Sequence, residues 1–182
     1  MRTTPRRNGE PADLAPLRRG VARICERYGI CDYDTVNAFL TLKRTSAELE
    51  NFSADYCKQV NLSPGRLSVL MVLNAYAERQ MPLSEIGQYL VVSRPNITGL
   101  IDSLVEDGLV KRTHHADDRR MVLAQLTPQG KEFMRRFLPF HYRVVLRAMS
   151  ALNREEKRQL VALLDKLRVH LRTVEIPQME EA

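Results

Sequence analysis

The chain has no tryptophan, only three cysteines, and no apolar run approaching the roughly 20 residues that a membrane-spanning helix needs. Its first residues also lack the apolar core of a signal peptide. The cysteines, Cys25, Cys31 and Cys57, are odd in number and lack zinc-site spacing, as expected of reduced thiols in a reducing compartment. We therefore expect a cytoplasmic protein that does not bind a membrane.

The short motifs that assign catalytic groups are absent as well. There is no phosphate-binding glycine loop, no His-Glu-x-x-His helix, no Cys-x-x-Cys pair and no Gly-x-Ser-x-Gly turn. Without such a motif, no side chain can be assigned as an acid, a base or a nucleophile. We expect a binding protein and not an enzyme, with no catalytic residue, no metal and no cofactor.

Positive charge is what the chain has in excess. Its 28 Lys and Arg residues against 22 Asp and Glu give a formal net charge of +6, and 44% of its residues are hydrophobic. That hydrophobic fraction suffices for a sizeable core. The basic balance favours a polyanionic partner such as nucleic acid.

The stretch from Leu83 to Asp102 has the pattern of a helix, a tight turn and a second helix. Apolar residues recur at helical spacing on both sides of the turn, and Gly87 allows the two helices to cross closely. Ser93 is predicted to cap the second helix through its hydroxyl, and Pro95 fits the first turn because its missing N–H has no partner there. The polar residues off the apolar stripe suit base edges and phosphates in a major groove. They are Arg94, Asn96, Thr98, Gly99 and Ser103.

A β-hairpin pattern follows the second helix. Gly108 is a helix-end signal, and an extended segment leads from it to Lys111 and Arg112. The alternating residues 121–126 can form the returning strand. The tip between the strands carries Asp118, Arg119 and Arg120. A helix-turn-helix followed by such a hairpin is a winged helix, with basic residues where the wing would touch DNA.

The segment from about Leu62 to Gly130 contains VSRPNITGLIDSLVEDGLVKR, DDRR and LTPQG, and it resembles the MarR family of dimeric bacterial transcription regulators. The resemblance extends over about residues 32–174. It implies a mostly α fold with a small β-hairpin wing (α+β), in which a winged helix-turn-helix domain joins a helical dimerisation domain. It also implies a homodimer that binds a pseudo-palindromic operator in double-stranded DNA as a repressor. A small-molecule effector, aromatic or phenolic, would release it.

The family's DNA contacts transfer by position to the second helix and the wing. The wing arginine that enters the minor groove falls at Arg119, with Asp118 and Arg120 bracing the wing. The whole predicted DNA-binding set is Ser93, Arg94, Asn96, Thr98, Gly99, Ser103, Lys111, Arg112, Asp118, Arg119 and Arg120. Many members have an Asp-x-Arg-Asp-Arg-Arg wing, whereas His115 and Asp117 stand at its first two positions here. This departure predicts a weaker grip on the backbone.

Helical patterns surround the winged helix. We divide the chain into a disordered basic tail (1–12), an extra N-terminal helix (13–30), a dimerisation helix (31–60), the winged helix-turn-helix domain (61–127), C-terminal dimerisation helices (128–175) and a tail (176–182). The predicted helix caps are Asp32 or Asp34, Ser63, Thr127 and Asn153. The stripe from Leu160 to Val174 has coiled-coil-like spacing, which favours a partner helix over packing within the chain. The extra helix either packs across the dimer interface or covers a ligand cavity.

Effectors in the family often bind between the dimerisation helices and the DNA-reading module. The candidate effector-binding residues are Arg66, Ser68, Met71 and His141, with ordinary packing as the alternative for each. The urate-responsive subgroup also has an extra N-terminal helix but uses a tryptophan there, so the absence of tryptophan argues against urate. Two other interpretations stay open: a redox-sensing regulator that uses Cys25, Cys31 or Cys57, and a winged helix used for protein contacts.

Overall fold

The computed structural model describes residues 15–29, 32–118 and 120–178. In these ranges the elements are α1 (Ala15–Tyr28), α2 (Tyr33–Cys57), a 3-10 turn (Lys58–Val60), α3 (Pro64–Ala75), β1 (Met81–Pro82), α4 (Leu83–Leu90), α5 (Arg94–Glu106), β2 (Val110–His114), β3 (Val122–Leu126), α6 (Pro128–Ala148) and α7 (Arg154–His170). The predicted class, mostly α with a small hairpin wing, is confirmed. Each of these helices is too short or too polar to cross a bilayer. The predicted basic tail lies outside the described residues.

The chain divides into two compact units, residues 1–69 and 70–182. In the first unit, α1 contacts α2. The predicted cap at Asp32 is confirmed, since its carboxylate accepts hydrogen bonds from the N–H groups of Asp34 (3.3 Å) and Thr35 (3.0 Å). A further bond from the Thr35 hydroxyl is the main reason why the pKa of Asp32 lies below its ordinary value.

The three cysteines differ from one another. Cys57 is a free, fully buried thiol, and burial raises its pKa. Cys25 is buried and disulfide-bonded, so the prediction of a reduced thiol is wrong at that position. Cys31 lies outside the described residues. A count of cysteines contains no distances, which is why it could not predict a bonded sulfur.

The second unit contains the helix-turn-helix and the sheet. The strands are antiparallel in the order β1-β3-β2, with Met81 opposite Ala124 and Val110 opposite Leu126. The core beneath them is aliphatic, because its fully or almost fully buried side chains are Leu70, Leu73, Met81, Ile86, Ile97, Ile101, Leu104, Val110 and Met134. Of the apolar positions that we expected between α4 and α5, Ile86, Ile97 and Ile101 are therefore buried, whereas Leu90, Val92 and Leu100 are half-buried.

The turn between α4 and α5 is tight. A Cβ on Gly87 would lie 3.4 Å from the carbonyl oxygen of Val92 and 3.7 Å from Cγ2 of Ile97, which are ordinary contact distances, so the two helices touch here but a methyl group would still fit. Val91 ends α4 in the left-handed region, with φ of 54°. A β-branched residue is strained there, and Val91 is 89% exposed, so few contacts compensate for the strain.

The end of α5 and the start of α6 share one hydrogen-bonded junction. Gly108 has φ of 71°, and the N–H groups of Gly108 and Leu109 bond back to Val105 (2.9 Å) and Leu104 (3.0 Å), which is a Schellman motif. The Thr127 hydroxyl donates to the carbonyl of Gly108 (2.7 Å) and accepts from the N–H of Gly130 (2.9 Å). The predicted caps at Gly108 and Thr127 thus connect the recognition helix, the wing and α6.

Helix α7 begins with the predicted capping box. The Asn153 side chain accepts from the N–H of Glu156 (3.0 Å), and the Glu156 carboxylate accepts from the N–H of Asn153 (2.7 Å). None of the α7 residues is buried. The apolar residues at alternating spacings of four and three are partly exposed, namely Leu160, Leu164, Leu167, Leu171 and Val174.

Candidate DNA-binding surface

The outward side of α5 carries the polar residues that the sequence assigned to base contacts. Ile97, Ile101 and Leu104 point into the core, and they leave the opposite side of the helix to solvent. The exposed positions are Ser93, Arg94, Asn96 and Gly99, while Thr98 and Ser103 are half-buried. A Cβ on Gly99 would meet no atom within 4 Å, so this glycine leaves a flat stretch of helix that a ligand backbone can approach closely.

Ser93 occupies the N-cap position of α5, but its hydroxyl makes no capping hydrogen bond to the residues that the structure describes. The prediction of a hydroxyl cap is therefore wrong. An N-cap side chain bonds the N–H of the second or third helical residue, and because the second residue here is Pro95, which has no N–H, only the N–H of Asn96 is left as a donor for the cap. The hydroxyl of this exposed serine stays available to a ligand.

Thr98 and Arg94 lie one turn apart on α5. The Thr98 hydroxyl donates to the carbonyl oxygen of Arg94 at 3.0 Å, which uses its proton and leaves its oxygen as an acceptor. The Arg94 guanidinium is exposed at the start of the helix. A guanidinium in this place can donate two parallel hydrogen bonds to a guanine edge or to a phosphate.

The tip of the wing is shaped by short-range hydrogen bonds. The Asp118 carboxylate accepts from the N–H of Arg120 (2.9 Å), and the Asp118 carbonyl accepts from the N–H of Met121 (2.9 Å). The ring of His115 accepts from the N–H of Asp117 (3.2 Å). The two residues at which the wing departs from the family pattern therefore contact each other inside the turn. Arg120 is exposed, and Arg119 lies outside the described residues.

The two cations at the base of the wing have different surroundings. Lys111 is exposed on β2, opposite Gln125 of β3. Arg112 instead donates from Nη1 to Oδ1 of Asp102 on α5, at 2.5 Å. Both residues belong to the DNA-binding set predicted from the sequence, in which Asp102 has no place. The sequence feature that could have pointed to Asp102 is its spacing, because it lies four residues after Thr98 and therefore on the same row of the helix.

A second network that the sequence did not reveal holds α4 in place. Arg79 forms a two-bond ion pair with Glu85 and lies over the ring of Tyr76, 4.9 Å from its centroid. The hydroxyls of Tyr76 and Tyr89 are hydrogen-bonded at 2.9 Å. The ion pair lowers the pKa of Glu85. These contacts fix the first helix of the helix-turn-helix to the segment that precedes β1.

Comparisons with known proteins agree with this geometry. The model of the MarR family matches residues 62–122. The HTH-type transcriptional repressor YetL of Bacillus subtilis is 30% identical over 152 residues, which are 84% of this chain and 91% of that protein. The chain belongs to the MarR family. As a MarR-family member it is a DNA-binding transcription regulator and not an enzyme.

Solved MarR-family structures share the fold. The MepR–DNA complex of S. aureus has a TM-score of 0.66 and 21% identity, covering 72% of this chain and 96% of that one. BpsR of Bordetella bronchiseptica, whose DNA binding is regulated by 6-hydroxynicotinic acid, has a TM-score of 0.65 and 23% identity, covering 72% and 98%. At these identities the likeness shows the fold alone.

Three of the four candidate effector-binding residues of this MarR-family chain, Arg66, Ser68 and His141, have contacts of their own. The Ser68 hydroxyl donates to the carbonyl of Pro64 (3.0 Å), and the Arg66 guanidinium donates to the carbonyl of Asn61 (3.3 Å). In the second unit, Met71 is half-buried. His141 is also half-buried and stacks on Phe137 with ring centroids 6.0 Å apart, and burial lowers its pKa. An effector role for these residues stays a prediction.

Proposed function

We propose that this MarR-family chain forms a homodimer in the cytoplasm, binds a pseudo-palindromic operator in double-stranded DNA as a repressor, and is released by a small-molecule effector. The observation that carries the proposal is the outward side of α5, where Ser93, Arg94 and Gly99 are exposed next to an exposed basic wing. The recognition helix would read base edges in the major groove, and the wing would contact the backbone and the minor groove.

Each group has a stated role in this proposal. Arg94 and Asn96 pair with purine edges, and the oxygens of Ser93 and Thr98 and the neighbouring Ser103 complete the polar surface. Lys111 and Arg120 neutralise phosphates, and each neutralised phosphate contributes about −0.9 to the slope of log affinity against log salt. Arg119 enters the minor groove, as the family resemblance implies, with Asp118 shaping the turn.

Dimerisation is supported by the apolar seam of α7. Leu164 and Leu167 are 40% and 38% exposed although they lie at the 4-3 spacing of a coiled coil. A two-fold dimer places two recognition helices about 34–36 Å apart, one DNA turn, which is why we propose a pseudo-palindrome. Leu164→Glu should convert the dimer to a monomer in sedimentation equilibrium. Val161→Glu is the matched control, since it changes an exposed apolar residue of the same helix outside the seam.

The DNA-reading role is tested with a charge-matched pair of variants. Arg94→Gln should weaken binding to the operator and reduce its preference over a scrambled duplex, because a base contact is worth about 1–3 kcal/mol of discrimination. Arg158→Gln removes the same charge from α7, where Arg158 pairs only loosely with Glu155 at 3.8 Å, and should retain the preference. Equal losses in both variants would leave only a nonspecific charge effect, and a protein-contact role would then account better for the winged helix.

The effector class is proposed to be an aromatic or phenolic acid. The structurally similar BpsR responds to 6-hydroxynicotinic acid, which belongs to this class. A near-complete switch requires the effector to bind the DNA-incompetent state better by about 5.5 kcal/mol. Titrating 6-hydroxynicotinic acid and then a small panel of phenolic acids into the protein–DNA complex should release labelled DNA. His141→Ala should shift the release curve, and His170→Ala is the control on an exposed histidine.

A second candidate mechanism is redox sensing, and the disulfide-bonded state of Cys25 is the observation that favours it. Under this alternative, a thiol reductant would change operator affinity in the wild type and have no effect on Cys25→Ser. A reductant that leaves the affinity of the wild type unchanged would remove the alternative.

A further inference from the structure

One ion pair joins the recognition helix to the wing. Nη1 of Arg112 on β2 lies 2.5 Å from Oδ1 of Asp102 on α5, and the two side chains are 36% and 46% exposed. The residues are ten positions apart along the chain, and their helix and strand are in contact. The pair is therefore a cross-link between two elements, unlike an ion pair within one helical turn.

The place of Asp102 makes its charge unusual. Arg94, Thr98 and Asp102 follow one another at intervals of four residues, so they form one row along α5. The row that begins with two residues of the proposed DNA-reading surface thus ends in a carboxylate. A free carboxylate there would repel the phosphates that the surface is proposed to bind, whereas a carboxylate paired with a guanidinium contributes little net charge.

The pair also acts on geometry. The Schellman turn at Gly108 determines where β2 leaves the helix, and the bond from Arg112 holds the middle of β2, opposite Ala124 of β3, against the side of α5. A wing that is held at a fixed angle to the recognition helix reaches the backbone while the helix is in the groove. The cost of ordering the wing is then met before DNA binds.

We infer that Asp102 and Arg112 are positioning residues for DNA binding: their ion pair sets the wing against the recognition helix, and Arg112 neutralises Asp102 instead of a phosphate. The inference rests on the proposed DNA-reading function and assigns Arg112 a role different from that of its neighbour Lys111. Simple electrostatics predicts that removing the negative charge of Asp102 strengthens the binding of a polyanion such as DNA. The inference predicts the opposite, that DNA binding becomes weaker.

The test is a double-mutant cycle on the full chain, read by anisotropy on duplex DNA from beside its own gene over a series of salt concentrations. Asp102→Asn and Arg112→Gln should each weaken binding about tenfold, and the double variant should bind no more weakly than the weaker single one, as coupled residues do. Asp102→Glu keeps the carboxylate and should restore most of the affinity. The salt slopes of Asp102→Asn and Arg112→Gln should match the wild type, whereas Lys111→Gln, the phosphate-contact control, should lose about 0.9.

Several results would overturn the inference. Binding by Asp102→Asn that equals that of the wild type would show that Asp102 has no part in DNA binding, and tighter binding would show that it acts as a repelling charge; either result overturns the inference. A salt slope for Arg112→Gln that falls as in Lys111→Gln, with additive effects in the cycle, would make Arg112 a phosphate contact. If the wild type binds no duplex, the proposed function and this inference both fail. If the wild type binds the duplex and Asp102→Asn binds it equally well, the inference alone fails.

Discussion

Replacing Ile97 with alanine tests the packing that presents the recognition helix. The Ile97 side chain is 1% exposed and faces Gly87 across the helix crossing. Truncation removes three carbon groups, each worth about 0.8 kcal/mol of burial, or about 2.4 kcal/mol before any cavity is counted. The cavity raises the expected loss of unfolding free energy to about 2–5 kcal/mol, because the side chains around a buried site relax only partly into the space that is left.

Urea unfolding followed by circular dichroism measures this loss, provided that the dependence of the unfolding free energy on urea concentration is the same in the variant and the wild type. The matched control is Val105→Ala on the same helix, where the valine is 38% exposed and truncation should cost about 1 kcal/mol. At a protein concentration that keeps Ile97→Ala folded, its DNA contacts are intact and its operator affinity should change little. A loss below about 1 kcal/mol, or equal losses in the two variants, would refute the assignment of Ile97 to the core.

Three further perturbations test the turn, the junction and the ion pair on α4. Val91→Gly should raise the free energy of unfolding by about 1 kcal/mol, since it relieves a left-handed valine that is 89% exposed; a lower stability would argue against strain there. Gly130→Ala should lower it by about 1–3 kcal/mol, because the new methyl group collides with the carbonyl oxygen of Leu109; unchanged thermal stability would count against that contact. Folding lowers the pKa of Glu85, so its pair with Arg79 stabilises the fold at neutral pH and the contribution is lost as pH falls through the folded-state pKa. The difference in urea midpoint between the wild type and Glu85→Gln should therefore shrink on acidification, and a difference that widens would contradict the pairing.

Features that depend on neighbouring residues were predictable from the sequence. The caps at Asp32, Thr127 and Asn153 and the glycine turn at Gly108 are confirmed, because each needs only a side chain and a backbone group a few residues away. The helical periodicity on either side of Gly87 likewise predicted which face of the helix-turn-helix is buried.

Features that depend on distance in space were not predictable in the same way. The pairing of Asp102 with Arg112 and of Tyr76 with Tyr89 requires the angle between two elements, which periodicity does not contain. The bonded state of Cys25 requires a sulfur position. The missing cap at Ser93 is a different case, because part of its cause is visible in the sequence. Pro95 has no N–H, so it removes one of the two backbone donors that the Ser93 hydroxyl could have accepted from.

The most direct test of the central claim is the anisotropy of the full chain on DNA from beside its own gene, compared with a scrambled duplex over a series of salt concentrations. The account predicts tight binding that prefers the flanking DNA and that weakens steeply with salt, since several phosphates are neutralised at once. Equal, weak binding to both duplexes would contradict the claim that this surface reads an operator beside its gene.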